Sequence, residues 1–242
     1  MPTSMDITIA YSERFGHKRE RTAREVGHLP FETYPHPDPP FAYRGRQSFV
    51  TDGWVSSTGA STSLASLRQH RVALELDRDR DIAAFSAGPI ELRWACLDGS
   101  PGALRPPFIA RTTGGRRLVV VIVPDAVHAR WYATIQVVAE AARQAGWGVR
   151  TVEVPQGARL ANLLRAARAR DPRRRDPAQA RAVLDAFPGP RILAEGIAGC
   201  GLPRLVALEV AWHLIWTGRL GIDWDSVFVP TRSLAWAVGD GP

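Results

Sequence analysis

The middle of the chain carries apolar runs whose pattern predicts a β-sheet. "RLVVVIV" (117–123) is apolar without alternation, which is typical of a strand that is covered on both faces. "PIELRWACL" (89–97) and "PFIAR" (107–111) precede it, and a Thr-Thr-Gly-Gly turn favours a hairpin between the second and third runs. "GVRTVEV" (148–154) predicts a further strand.

Two segments with helical periodicity flank these strands. Apolar residues follow an approximately helical spacing from Ser63 to Asp79, and a longer helix is predicted from Ala126 to Ala145. Gly146 suits the C-cap of that second helix. The order of helix, hairpin, helix and strand predicts an α/β core of about 100 residues.

The N-terminal region has a different character. "YPHPDPPF" (34–41) is unsuited to a helix or a central strand because proline lacks the backbone donor that both need. We therefore expect residues 1–48 to form an extended N-terminal arm. In the segment that follows, Asp52-Gly53 separates two short apolar stretches and indicates a hairpin.

The composition changes again after Gln156. Helical segments lie on both sides of an Asp-Pro-Arg-Arg-Arg-Asp-Pro break, and a strongly apolar helix is predicted over 202–220. Two alternating strands are predicted around "VPTR" within 221–238. Helices followed by a small hairpin form the outline of a winged helix. The sequence thus predicts a core domain at 49–156 and a helical, winged-helix-like domain at 157–242.

Charge adds a class of partner to this picture. The formal net charge is +7 and the isoelectric point is about 10.3, which favours a polyanion and nucleic acid first. The sequence shows neither an apolar run of eighteen residues nor a charged-then-apolar leader, so we expect a cytoplasmic protein without membrane contact. Cys96 and Cys200 follow no metal-ligand spacing and are expected to be free thiols.

Basic charge is concentrated in one segment. Between Arg165 and Arg191 there are eight arginines and three aspartates. The predicted DNA-binding residues lie at a helix end and in its loop, where burial is implausible: Arg168, Arg170, Arg173, Arg174 and Arg175. Simple solvation, or contact with an acidic partner protein, are the alternatives for these side chains.

The order of these motifs resembles a known family, the TnsA-like endonuclease subunits of heteromeric DNA transposases in their actinobacterial form. The resemblance extends from about Tyr43 to Trp236. Four stretches carry it: "SFVTDGWVSSTGAS", "ASLRQHRVALELDRDRDIAAFSAGP", "PPFIARTTGGRRLVVVIVPD" and "HLIWTGRLGIDWDSVFVPTRSL". It implies a restriction-endonuclease-like core (a mixed sheet flanked by helices) at 49–156. It also implies a DDE-type transposase subunit, an AAA+ ATPase regulator and DNA as partners.

In that family, acidic residues of the helix and hairpin, with a nearby lysine, bind magnesium and cut DNA. A hard cation of this kind needs oxygen ligands. Carrying the motif over places the helix acid on Gln69 or Ala65, the hairpin acids on Pro107 and Ile122, and the lysine on Pro124. A glutamine that the family carries before a proline falls on Gly88.

None of these residues is an acid or a lysine. Lys18 is the only lysine in the chain, and an arginine cannot replace a lysine as a proton carrier because its pKa is too high. The resemblance, with the motif's acids and lysine absent, therefore implies a catalytically degenerate subunit that binds DNA ends and a partner transposase, without catalytic residues, a metal or a cofactor. Two alternatives stay open: an active metal-dependent endonuclease with a relocated site built from Glu91, Asp98 or Asp125, and a winged-helix DNA-binding regulator.

Overall fold

The described residues form both helices and strands, and the mixed α/β class expected from the sequence is confirmed. The structure is a computed structural model that describes residues 6–13, 16–38, 50–96, 99–171 and 176–239. It divides into two units: an N-terminal unit within residues 1–77 and 81–154, and a C-terminal unit within residues 78–80 and 155–242.

The described residues of the N-terminal unit form three sheets. Its elements in chain order are β1 (Thr8–Ser12), β2 (Lys18–Thr22), α1 (Ala23–Val26), a 3-10 turn (Phe31–Thr33), β3 (Thr51–Val55), β4 (Ala60–Leu64), α2 (Leu67–Arg78), β5 (Ile82–Ala87), β6 (Ile90–Ala95), β7 (Pro101–Leu104), β8 (Phe108–Thr112), β9 (Arg117–Ile122), α3 (Ala129–Ala145) and β10 (Gly148–Val152). The central sheet has the order β10-β9-β8-β5, a second sheet has the order β2-β1-β6-β7, and β3 pairs with β4.

Strand β9 organises the central sheet because it contributes side chains to two apolar clusters. Val119 and Val121 pack in one cluster with residues of α3, whereas Val120 and Ile122 belong to a second cluster with residues of α2. The prediction of a strand covered on both faces is confirmed. β9 runs parallel to β10 and antiparallel to β8, which is in turn antiparallel to β5.

Helix α3 makes the crossover between the two parallel strands. It ends at Gly146, whose φ of 72° lies in the left-handed region, and the amide of Trp147 donates to the Ala142 carbonyl at 2.8 Å. The predicted glycine C-cap is confirmed. The connection order around the central sheet is α2, β5, β8, β9, α3 and β10, with the β6–β7 hairpin between β5 and β8.

The expectation of an extended arm over residues 1–48 is wrong for the described part of that range. β1 and β2 form an antiparallel pair, and β1 also pairs with β6. Ile7, Ile9 and Tyr11 alternate and bury one face of the sheet, and Phe31 is fully buried in the same cluster. These apolar residues integrate the segment into the core because their burial stabilises it by about 1.5–3 kcal/mol for each large side chain.

The hairpin near residue 52 exists, but its turn lies elsewhere. Asp52 and Gly53 are ladder positions in β3, and the turn follows at residues 56–59. Gly53 is required by packing, since a Cβ there would lie 2.8 Å from a methyl carbon of Leu64. The helix predicted from Ser63 begins only at Leu67, and β5 and β7 were absent from the prediction.

The C-terminal unit combines helices with a small sheet. Its elements are α4 (Gly157–Ala166), a 3-10 turn (Ala167–Ala169), α5 (Pro177–Asp185), β11 (Arg191–Ile192), α6 (Leu193–Gly199), α7 (Arg204–Trp216), β12 (Leu220–Ile222) and β13 (Leu234–Ala237). The strands are antiparallel in the order β11-β13-β12. The two strands predicted around "VPTR" are therefore short, and most of that segment is the loop that joins β12 to β13.

Helix α7 is the centre of the C-terminal unit. It packs against α4, α5, α6, β12 and the 3-10 turn, and both Trp212 and Trp216 are buried. The two tryptophans therefore belong to the core of this unit. In the described ranges, no helix has the length and apolar character needed to cross a membrane.

The loop that joins β12 to β13 is bound to α4. The side-chain amide of Asn162 donates to the carbonyls of Trp224 and Ser226 at 3.0 and 2.9 Å. Arg165 donates to the carbonyl of Phe228 at 2.9 Å. Because Asn162 is almost fully buried, these bonds fix the loop against the helix.

Candidate functional site

Gln69, which stands at the helix position of the resembled motif, forms a hydrogen bond with the backbone through its side chain. Gln69 lies in the first turn of α2, and its Oε1 accepts a hydrogen bond from the amide of Ala65 at 2.7 Å. The Gln69 amide donates to the hydroxyl of Ser66 at 3.2 Å. Ser66 and Gln69 have the spacing of a capping box, which satisfies amides at a helix start. The side-chain oxygen of Gln69 is thus engaged in a structural role.

Two further motif positions meet at the start of β8. The amide of Gly88 donates to the carbonyl of Pro107 at 2.9 Å, so these positions are joined through their backbones. Gly88 has a φ of 54°, and a Cβ there would lie 2.8 Å from the ring of His36. The side chain that the family carries at residue 88 therefore does not fit this backbone.

Ile122 and Pro124 occupy the end of β9. Ile122 packs against the apolar cluster that contains Val72 and Leu76 of α2 and Phe108 of β8. The space between α2 and the β8–β9 hairpin is therefore filled by apolar side chains.

An ion pair lies at the same end of β9. Arg68 of α2 donates through Nη1 to the carboxylate of Asp125 and through Nη2 to the carbonyl of Val123, the latter at 3.1 Å. The guanidinium thus holds the start of α2 to the chain that leaves β9. It also places a permanent positive charge beside the carboxylate of Asp125. We call Arg68, Gln69, Ile122 and Asp125 the β9 corner.

The residues of the β9 corner do not fit a magnesium ion. The ion requires several oxygen ligands, but the Gln69 oxygen accepts from the backbone, Ile122 is apolar, and Asp125 pairs with Arg68. The described residues also contain no group of three or more His, Cys, Asp or Glu side chains that could hold a metal.

Glu91, another of the acids considered for a relocated site, has a partner of its own. Glu91 lies on β6 in the second sheet and accepts two hydrogen bonds from Arg93. Asp98 lies outside the described residues. The only lysine, Lys18, lies on β2 and donates to Asp38 at 3.0 Å, a bond that is the first cause of the lowered pKa of Asp38.

Asp77, near the end of α2, has a structural role. It is buried, and its Oδ1 accepts from the Ser56 hydroxyl at 2.8 Å and from the Ser57 amide at 3.1 Å. The carboxylate ties the turn after β3 to α2.

The predicted DNA-binding arginines are only partly within the described residues. Arg168 is exposed in the 3-10 turn after α4, and Arg170 follows the turn and is half-buried. Arg173, Arg174 and Arg175 lie outside the described residues. Arg168 lines a cavity of the C-terminal unit together with His213, whose Nδ1 is bonded to the Ala169 carbonyl.

Sequence reasoning missed three residues with structural importance in the N-terminal unit. Ser66-x-x-Gln69 is a capping-box signature and could have been read directly. Arg68 gave no such signal, because its partner Asp125 is 57 residues away. Glu32 lies in the proline-rich segment that was interpreted as an arm, yet its side chain is only 2% exposed and pairs with Arg111 and Arg117.

The chain matches no family model and no curated protein.

Proposed function

We propose that the protein is a non-catalytic, nuclease-like subunit of a DNA-transposition complex that binds DNA ends and a partner transposase. The β9 corner is the observation that carries the proposal. An arginine–aspartate pair and a packed isoleucine stand where the family's resemblance implies a magnesium site.

The connection order of the N-terminal unit supports a restriction-endonuclease-like core. The elements follow one another along the chain as a helix, three antiparallel strands, a second helix and a fourth strand that is parallel to the third. The spatial order of the four strands is β10-β9-β8-β5. This order is typical of the nuclease fold that the sequence motifs imply. An arrangement of helices and strands like that of the nuclease fold, with motif positions that lack metal ligands, favours an architectural role over a catalytic one.

The C-terminal unit supports a winged-helix assignment in the same way. Three helices and three strands follow one another as α5, β11, α6, α7, β12 and β13. The strands are antiparallel in the order β11-β13-β12. A winged helix has this succession, with the loop between the last two strands as its wing. In this chain that loop is bonded to Asn162 and Arg165 of α4.

An active endonuclease is the second candidate, and it is favoured only by the carboxylate of Asp125 at the end of β9. That candidate requires Asp125 to leave Arg68 and to gain at least one further acidic ligand. A winged-helix regulator is a third candidate, which the nuclease-like unit disfavours because such a regulator would have no need of it.

DNA binding is tested by a salt series on duplex DNA. Each phosphate contact releases condensed counterions, so the combined change of Arg173, Arg174 and Arg175 to Ala should lower the slope of log affinity against log salt by about 2.7. Arg181→Ala is the matched control, because Arg181 is an exposed arginine of the same unit that lies near Asp185. An unchanged slope in the triple variant would contradict phosphate contact by this segment.

A further inference from the structure

Strand β10 is an edge strand of the central sheet. It pairs with β9 on one side, and none of the described strands pairs with its other side. The amide of Val123 donates to the carbonyl of Val152 at 2.9 Å, so the peptide groups of Val152 point towards β9. Because these groups alternate along a strand, those of Val149, Thr151 and Glu153 point away from the sheet.

The outward peptide groups of β10 are accessible. Val149 is 37% exposed, and Thr151 and Glu153 are exposed as well. Val152 and Val154 both pack against the apolar cluster on the α2 side, which shows that the alternation continues through Glu153. Within the described ranges, no backbone or side-chain group bonds to the outward groups of these three residues. Such an edge is a template for a further strand.

The other edges of the two larger sheets carry features that oppose pairing. β2 has the exposed and mostly charged sequence "KRERT", and β7 begins with Pro101 and Gly102. β5 has a register shift between Ile82 and Ala84. Charges, prolines and irregular register are the devices that protect sheet edges. β10 keeps a regular register with β9, and its one charged residue, Arg150, already has a partner.

We propose that two copies of the chain form a symmetric dimer by antiparallel pairing of β10 with β10, with the two-fold axis at Thr151. In this register Thr151 lies opposite Thr151 of the second copy, and Val149 lies opposite Glu153 of the second copy. All of these residues direct their peptide groups outwards, so each pair exchanges two backbone hydrogen bonds. A two-fold interface of this kind uses the same surface on both chains.

The sequence of β10 is complementary to itself in this register. An axis at Arg150 would place two arginines directly opposite each other, which destabilises a strand pair. An axis at Val152 would place Val149 opposite Pro155, which has no amide to donate. An axis at Thr151 avoids both conflicts, because it pairs two threonines and sets Arg150 opposite Val152. A second copy therefore satisfies every outward group without placing like charges opposite each other.

This inference goes beyond the proposed function and does not depend on it, since it concerns contacts between copies of the chain. Within that function, a dimer would supply one copy for each of two DNA ends. The salt series on duplex DNA reports on residues 173–175, whereas the dimer is measured without DNA. Failure of one is therefore distinguishable from failure of the other.

The test is sedimentation velocity of the full chain over a concentration series. The wild-type chain should form a species of twice its 26.5 kDa mass. Thr151→Lys and Thr151→Glu each place like charges opposite each other at the axis, and each should raise the dissociation constant of the dimer at least about tenfold. Residue 151 is exposed, so both variants should keep the wild-type circular dichroism spectrum.

Mixing the two variants separates this register from a general effect of charge. An equimolar mixture of Thr151→Lys and Thr151→Glu should recover the dimer, because a lysine then lies opposite a glutamate. Ser61→Lys is the matched control, since it adds a lysine at an exposed hydroxyl residue of another strand, β4, and it should leave the dimer unchanged.

Three results would overturn the proposal. They are a wild-type chain that is monomeric at every concentration, which would leave the edge to a strand of another protein, a dimer that Thr151→Lys does not weaken, and a mixture of the two variants that stays monomeric. Amide hydrogen exchange of the wild-type chain decides the matter if the variants do not fold. The amides of Val149, Thr151 and Glu153 should be protected in the dimer and exchange faster on dilution, and exchange that is independent of concentration would contradict the pairing.

Discussion

Arg68 and Asp125, which are 57 residues apart in sequence, form an ion pair at the end of β9, and Arg68 also donates to the Val123 carbonyl. The pair brings the start of α2 against the chain segment that leaves the central sheet. The Asp125 carboxylate, which follows β9, is therefore paired with a guanidinium. The account of a non-catalytic protein depends on this relationship and on the apolar packing of Ile122.

Introducing at residue 122 the acid that the resemblance implies should destabilise the protein. Ile122→Asp places a carboxylate against the apolar side chains of this cluster, and we expect a loss of about 2–4 kcal/mol in the free energy of unfolding. Ile122→Val is the matched control and should lose about 0.5–1.5 kcal/mol. Urea denaturation measures both. Equal stability of the Asp and Val variants would show that the site tolerates a charge and is not apolar packing.

Glu32 should contribute more to stability than its place in a proline-rich segment suggests. Its buried carboxylate accepts from Nε of Arg111 at 2.9 Å and lies 3.3 Å from Nε of Arg117. Glu32→Gln removes the charge that both arginines face, and we expect a loss of about 3 kcal/mol in unfolding free energy. Glu20→Gln, which alters an exposed pair with Arg93, should lose less than about 1 kcal/mol. Similar losses in the two variants would contradict a special role for Glu32.

The stability of the N-terminal unit should depend on pH through His36. Burial, followed by the charge of Arg105, lowers the pKa of His36 to about 4. The unfolded chain, with a pKa near 6.5, then binds more protons than the folded chain between about pH 4 and pH 6.5. The stabilisation that the neutral His36 gives to the free energy of unfolding is therefore fully present above pH 6.5. It is lost as the pH falls through this window.

His36→Gln should flatten this part of the profile. Because the ring is partly exposed, we expect the histidine to account for about 1–2 kcal/mol. Urea unfolding at half-unit pH steps measures the effect, and His128→Gln, an exposed histidine, is the control. A wild-type slope that persists in His36→Gln would assign the pH dependence to other groups.

The sequence predicted the central sheet well where burial leaves a strong pattern. β9 could be found because a strand that is covered on both faces is apolar throughout, and α3 because its apolar positions lead to a glycine C-cap. β5 and β7 were missed for a physical reason. β5 consists mainly of small residues, and β7 begins with Pro101 and Gly102, both unfavourable in strand interiors.

Only part of the β9 corner can be predicted from the sequence. The absence of acids at residues 107 and 122 is visible in the sequence, since each residue type excludes a ligand by itself. The pairing of Arg68 with Asp125 and that of Glu32 with Arg111 depend on tertiary packing of distant segments. The N-terminal segment was misjudged because the alternation of Ile7, Ile9 and Tyr11 is short and is followed by a proline-rich stretch.

Cleavage of supercoiled plasmid DNA in magnesium or manganese tests the central claim most directly. The wild-type chain, Asp125→Ala and Asp225→Ala should be purified in parallel and compared; Asp225 is the matched control because it is an exposed aspartate that pairs with an arginine, Arg159. The account predicts that none of the three nicks or linearises the plasmid in either metal. Metal-dependent nicking by the wild-type chain and by Asp225→Ala that is lost in Asp125→Ala would contradict it and would establish an active endonuclease at the β9 corner.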